Sequence, residues 1–170
     1  FFHGSMEYVD LKAGTVDCAI RFGHGNWQDA VIRPLMSDFL LLVAAPKLLE
    51  QEPIGSLEKV LRLPLMHSVE SWSTWMATLP NEESHMYRPE VHMEFTDSTH
   101  LLEAARVGLG VALTRRVIAD RLIQSGELTR AYNHESIHSS KYYLLLPSNR
   151  ESTEATDIFT NWLTEQSLLF

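Results

Sequence analysis

Val91-His92-Met93-Glu94-Phe95-Thr96-Asp97-Ser98-Thr99-His100-Leu101-Leu102-Glu103-Ala104-Ala105-Arg106-Val107-Gly108-Leu109-Gly110-Val111-Ala112-Leu113 is the stretch on which the fold is decided. Val91, Met93 and Phe95 alternate with polar residues, the period of two that marks a strand. Thr96-Asp97-Ser98-Thr99 then supplies a cluster of capping residues, and Leu101, Leu102 and Ala105 fall on one side of the helix they open. Gly108 closes that helix, because glycine adopts the left-handed conformation of a helix end without a steric penalty. Residues 110–114 return to a strand. Strand, helix and strand follow one another within a few residues, which is the grammar of an α/β protein.

The same alternation continues outward. Downstream, residues 117–123 predict a helix stopped by Gly126, residues 142–146 a strand, and Ile158, Phe159, Trp162 and Leu163 the buried face of a last helix. Upstream, Trp72, Trp75, Met76 and Leu79 are spaced as one face of an amphipathic helix, and residues 64–68 read as a strand. Ser56 suits the N-cap of a short helix carrying Leu57, Val60 and Leu61, and residues 80–89 read as a proline-bounded surface loop. Residues 39–45 are apolar on both faces, as in a strand covered on both sides, and Pro46 suits the first turn of a helix through Leu49. Val16, Cys18, Ile20 and Phe22 alternate as a strand that breaks at Gly23-His24-Gly25-Asn26, and residues 6–13 fit a short helix closed by Gly14. Phe1-Phe2 fits the tail of an apolar strand, with Gly4-Ser5-Met6 either native or a cloning remnant. The sum is α/β layering with mostly parallel sheets.

Composition narrows the function classes. The chain has 170 residues, 45% of them hydrophobic, enough for a proper core and for one domain or two small lobes. A formal charge of −8 opposes a phosphate backbone, and Arg115-Arg116, read as a solvated helix start, is too short to be a basic patch. The single cysteine, Cys18, excludes an intrachain disulfide framework and fits a reducing compartment, so cytoplasmic localisation is expected. The longest apolar run, residues 39–46, is shorter than the roughly 20 residues a membrane helix needs, and no membrane association is expected.

Catalytic and metal signatures are absent from the sequence. Its eight histidines include no HExxH, no thiolate partner spacing and no tight ligand set, so no metal and no cofactor are expected. There is no nucleophile elbow, and the glycine pairs Gly23/Gly25 and Gly108/Gly110 are too short for a dinucleotide fingerprint. No enzyme activity is expected. What remains are polar residues at strand ends and helix starts: Ser98 and Thr99 after the strand ending at Phe95, Gly23 and His24 after the first strand, His67 and Ser68 after another. Ligands of open α/β sheets sit at the carboxyl ends of strands, and a helix N-terminus offers backbone amides to an anion. Each residue alone also reads as a cap or a loop residue; together they describe a binding cleft better than an active site.

Several of these segments resemble one family. Val16-Asp17-Cys18-Ala19-Ile20-Arg21-Phe22-Gly23, followed by Gly25-Asn26-Trp27, is similar to a stretch of LysR-type effector domains, in the branch of the glycine-cleavage activator and the β-lactamase regulator. Leu42-Val43-Ala44-Ala45-Pro46 resembles the family's strand–helix junction, Phe95-Thr96-Asp97-Ser98-Thr99 its F-x-D-S turn, and residues 102–113 its helix–glycine–strand segment. Tyr142-Tyr143-Leu144 and Phe159-Thr160-Asn161-Trp162-Leu163 match two motifs near its C-terminus.

The resemblance implies a two-lobed type II periplasmic-binding-protein-like fold whose first lobe is incomplete at its N-terminus. The lobes implied are residues 1–43, residues 44–132, and residues 133–170 returning to the first lobe with a C-terminal helix. An opening strand, missing here, is expected between the strand ending near Phe2 and the one leading to Phe22. The function implied is a regulatory domain that senses a small-molecule effector in the interlobe cleft. The partners implied are further copies in a dimer or tetramer, and promoter DNA and RNA polymerase reached only through the full-length protein. Ser98 and Thr99 are expected to hold an anionic or carbonyl group of the effector through hydroxyls and helix amides, with Tyr142 opposite, and Gly23, His24, His67 and Ser68 around them. A transporter's solute-binding protein with the same fold is the alternative.

Overall fold

The computed structural model describes residues 1–4, 10–50, 56–80 and 86–168. The chain forms two compact units, Phe1–Ser37 with His138–Phe170, and Asp38–Ile137. The strands β2 (Ala30–Ala44) and β7 (Ser136–Pro147) pass from one unit into the other.

In the second unit the later part of β2 pairs antiparallel with β5 (Val111–Arg115) and with β6 (Thr129–Arg130). β3 (Leu65–His67) pairs in parallel with both β5 and β4 (Val91–Glu94). The sheet is therefore mixed rather than mostly parallel, because β2 runs against its neighbours. Alternation along β2 explains why residues 39–45 looked apolar on both faces. Leu40, Leu42 and Ala44 join Leu65, Val111 and Leu113 on one side, under α1 (Pro46–Leu49), α2 (Leu57–Leu61) and α3 (Trp72–Met76). Leu41 and Val43 join Met66 and Ala112 on the other, under α4 (Ser98–Arg106) and α5 (Arg116–Gln124). Each face is a separate core, as a sheet buried on both sides requires.

Two glycines shape this unit. Gly108 follows α4 with φ 83, the left-handed angle expected of it, and its absent Cβ would meet nothing within 4 Å. Gly110 answers a different need. Its Cβ would stand 2.3 Å from the Pro64 carbonyl oxygen, a backbone atom that cannot yield, and the next amide, Val111 N, donates to that oxygen at 2.8 Å. Only a residue without a side chain lets β5 start against β3 in this register.

In the first unit β1 (Ala19–Gly23) lies antiparallel to β7, Ala19 opposite Leu145 and Gly23 opposite Lys141. β1 starts three residues later than the alternation suggested; the Val16 carbonyl accepts from Arg150 Nη2 at 2.6 Å instead of extending a ladder. Residues 6–9 lie outside the described residues, and the part of the expected helix that is described is a 3₁₀ turn, Leu11–Ala13, capped by Asp10 and closed by Gly14 at φ 75. Phe1 and Phe2 belong to no strand; they are exposed, and the Phe2 ring meets Phe159 edge-on at 5.8 Å. Residues 81–85 of the expected loop are outside the description.

The last helix, α6 (Glu154–Ser167), corrects the expected buried face. Thr156, Thr160 and Ser167 are buried, whereas Ile158 and Trp162 are exposed. The inward hydroxyls carry their own acceptors: Thr160 Oγ1 donates to Asp157 O, and Ser167 Oγ reaches Thr164 O and Leu35 O. Small satisfied side chains bring the helix close at little desolvation cost. No helix among the described residues is long and apolar enough to cross a membrane.

The two glycines should separate in a denaturation experiment. Gly108→Ala should cost about 1 kcal/mol through backbone strain alone, and Gly110→Ala about 2–3 kcal/mol through overpacking. Urea midpoints measure both; a wild-type midpoint for Gly110→Ala would contradict the β3–β5 register.

Candidate functional site

The parallel strands of the second unit end together. Phe95 N donates to His67 O at 2.9 Å, so the β3–β4 ladder runs one residue past β4 before the chain turns into α4. Asp97 is the N-cap, in extended conformation, and its Oδ1 accepts from Thr99 N at 2.8 Å and His100 N at 3.0 Å. His100 Nδ1 lies 2.5 Å from the other carboxylate oxygen. The His100 amide, the Thr99 amide and the His100 ring hold the Asp97 carboxyl below the usual carboxylate range. The amides of Thr99 and His100 are therefore filled by the chain's own carboxylate. An anion could use them only by displacing Asp97.

Among the residues named from sequence, Ser68 and Ser98 come together, their hydroxyls 3.2 Å apart. Ser68 is buried, Ser98 half-buried and Thr99 exposed. His67 Nδ1 stands 2.6 Å from the Glu70 carbonyl oxygen. A carbonyl only accepts, so this nitrogen carries the proton and donates.

Arg115 is not the solvated residue expected. Its Nε lies 3.1 Å from Glu70 Oε1, with side chains 14% and 5% exposed. A buried ion pair of this kind exists because each charge neutralises the other. Arg116 pairs with Asp120 and Glu135, each at 3.6 Å. The N-cap of α5 is Arg115, which makes no side-chain cap, and the fully buried Asp38 serves instead, accepting from Val117 N at 3.2 Å and Phe39 N at 2.8 Å. Sequence reading missed Asp38 because a cap supplied from 79 positions away leaves no local pattern.

In the first unit Gly23 ends β1, and a Cβ there would press on the Trp27 ring at 3.0 Å. His24 is exposed in the turn that follows. Tyr142 stands opposite Phe22, the rings 4.8 Å apart, and His138 lies on the other contact of Phe22 at 4.9 Å. A cavity of about 210 Å³ opens elsewhere in this unit, lined by Asp17, Arg33, Arg150 and Glu151 over Val31 and Leu146, and none of the candidate site residues named from sequence lines it. Burial and the neighbouring Asp17 push the Cys18 thiol up, which disfavours the thiolate. Among the described residues no group of His, Cys, Asp or Glu could hold a metal.

Residues 2–168 match the LysR substrate binding domain family. The chain belongs to that family. It is 29% identical over 157 residues to the glycine cleavage system transcriptional activator of Escherichia coli K12, covering 91% of this chain and 50% of that protein. It is 32% identical over 167 residues to the HTH-type transcriptional activator AmpR of Rhodobacter capsulatus, covering 94% and 53%. The LysR domain thus spans about half the length of the curated relatives it matches. Among solved structures, the effector domain of AmpR of Pseudomonas aeruginosa superposes with a TM-score of 0.74 at 30% identity, covering 95% of this chain and 77% of that one. The AmpR effector binding domain of Citrobacter freundii gives 0.76 at 27% identity, covering 96% and 80%. The fold is that of the LysR effector-binding domains, type II periplasmic-binding-protein-like, in the branch the sequence motifs indicated. These relatives are transcription regulators, which favours an effector-binding domain over a transporter's solute-binding protein or an enzyme.

The Asp97 cap makes the LysR domain acid-sensitive in a defined direction. A carboxyl whose folded pKa lies below its unfolded value stabilises above the unfolded value, and the effect is lost as pH falls through the folded one. Asp97→Asn keeps a capping side chain that does not titrate. The melting temperature of wild type minus that of Asp97→Asn should therefore shrink from pH 7 toward acid; a difference that stays constant or grows would contradict the cap.

Proposed function

We propose that the chain binds a small-molecule effector at the strand-end cluster of the second unit, and that binding controls promoter occupancy by the longer regulator. Family membership supports the regulator class. The observation that carries the site is the Ser68–Ser98 hydroxyl bridge at the carboxyl ends of parallel strands, with Thr99 exposed beside it. Strand ends are where open α/β sheets bind ligands. The filled amides of α4 favour a carbonyl over an anionic group at this point.

The two compact units are proposed as the family's two lobes, with Gly23, His24 and Tyr142 of the first unit as effector contacts in their own right. Cytoplasmic localisation, self-association as a dimer or tetramer, and contact with promoter DNA and RNA polymerase are proposed for the longer protein. A formal charge of −8 supports a DNA contact made outside this chain. The effector acts by population shift, and it can do so only through different affinities for two arrangements of the domain.

A metabolite panel of amino acids, aromatic acids and cell-wall fragments, read by thermal shift, identifies the effector, since a ligand at about 100 times its dissociation constant adds roughly 2.7 kcal/mol of stability. Calorimetry with that compound then tests the site. Ser98→Ala and Thr99→Val should each weaken binding about threefold to tenfold, the worth of a neutral hydrogen bond, and Tyr142→Phe tests the first unit separately. Wild-type affinity in both Ser98→Ala and Thr99→Val would contradict the assignment.

A further inference from the structure

β5, the strand paired with β3, carries a buried hydroxyl that the fold does not use. Thr114, in β5 beside Arg115, is 1% exposed, and its Oγ1 has no hydrogen-bond partner among the described residues. Its direction follows from the register. Met66 of β3 pairs with Ala112 of β5, and Thr114 lies two residues further along β5, so it returns to the face of Met66 and Ala112; Ser68, just past the end of β3, is tied to the start of α4 by its contact with Ser98. Leu41, which pairs with Thr114, lies in the core under α4 and α5, the side from which Ser98 reaches Ser68. A buried hydroxyl without a partner is unfavourable, and valine would fill the same volume without that penalty.

The charges around the cluster are spent. Asp97 fills the amides of Thr99 and His100 and pairs with the His100 ring. Arg115 is paired with Glu70, and Arg116 with Asp120 and Glu135. A carboxylate placed here would meet the Asp97 charge with these cations already neutralised. Hydroxyls both donate and accept, and so suit an uncharged polar group.

We propose that the second unit reads a neutral group of the effector, a carbonyl, amide or hydroxyl, and that Thr114 supplies its innermost hydrogen bond behind Ser68 and Ser98. This rests on the strand-end cluster being the effector site, as argued above.

The test uses the whole ¹⁵N-labelled chain with two probes at matched ionic strength, N-acetylglycinamide as the neutral amide and acetate as the carboxylate. N-acetylglycinamide should shift the amide signals of Ser68, Ser98 and Thr114 saturably, and acetate should not. Thr114→Val should raise the dissociation constant of the neutral probe about fivefold, while Thr114→Ser, which keeps the hydroxyl, should hold it near wild type. Thr114→Val should also raise the melting temperature of the free chain, since it removes an unsatisfied group. Acetate binding at the cluster as tightly as the amide, or unchanged amide affinity in Thr114→Val beside a loss in Ser98→Ala, would overturn this inference and leave the effector site standing. Failure of both probes to act at the cluster, or unchanged affinity in Ser98→Ala and Thr114→Val alike, would overturn both.

Discussion

The close approach of the Gly110 backbone to the Pro64 carbonyl is the constraint from which the second unit follows. With a Cβ position 2.3 Å from a backbone oxygen, β5 accepts one register on β3 and no side chain at that point. That register sets Met66 opposite Ala112, and the two-residue period then puts Thr114 on the same face, with Ser68 following directly on the end of β3. α4, whose Leu101 and Ala105 pack on Met66 and Ala112, is carried to the same edge and delivers Ser98 to Ser68. A contact with no polar group of the proposed binding site in it therefore decides where the polar groups meet.

Charge does the complementary work around that edge. The buried Asp38, Glu70 and Arg115 fasten the start of α5 and the strand ends, and the half-exposed Asp97 caps α4. A helix start bound by its own carboxylate cannot serve an anionic ligand without losing that bond, and a buried arginine already neutralised by Glu70 cannot do so cheaply either. The elements that hold the site together thus limit which chemistry it accepts. On the proposed site, an effector would act through hydroxyl hydrogen bonds and shape, both of which can differ between two arrangements.

Much of the second unit was legible in the sequence because its signals are local. The cap-rich turn at residues 96–99, the glycine after α4, the proline opening α1 and the Trp72/Trp75/Met76 stripe each act within a few residues, and the elements formed where they stand. Motif order likewise identified the family. The Ser68–Ser98 contact was foreshadowed only as two separate strand ends. What escaped depends on distant partners. β2 begins nine residues before its apolar run, through Arg33 and Pro34, which local pattern reads as a break. On α6, the apolar residues are periodic enough to suggest a buried face, yet self-satisfied threonines and a serine turn inward instead. Asp97 was hidden among equally good capping residues; geometry alone shows that it, and neither Ser98 nor Thr99, occupies the helix amides. Thr114 has no sequence signal, since a threonine in a strand is ordinary until its hydroxyl is found without a partner.

Hydrogen–deuterium exchange, followed residue by residue with and without a stabilising effector, tests the central claim that ligand binds at this strand-end cluster. Bound effector should slow exchange most at residues 67–70 and 96–100, where β3 and β4 end and α4 begins. Protection confined to α6 or to the cavity beside Arg33 and Arg150, with those segments unchanged, would contradict it.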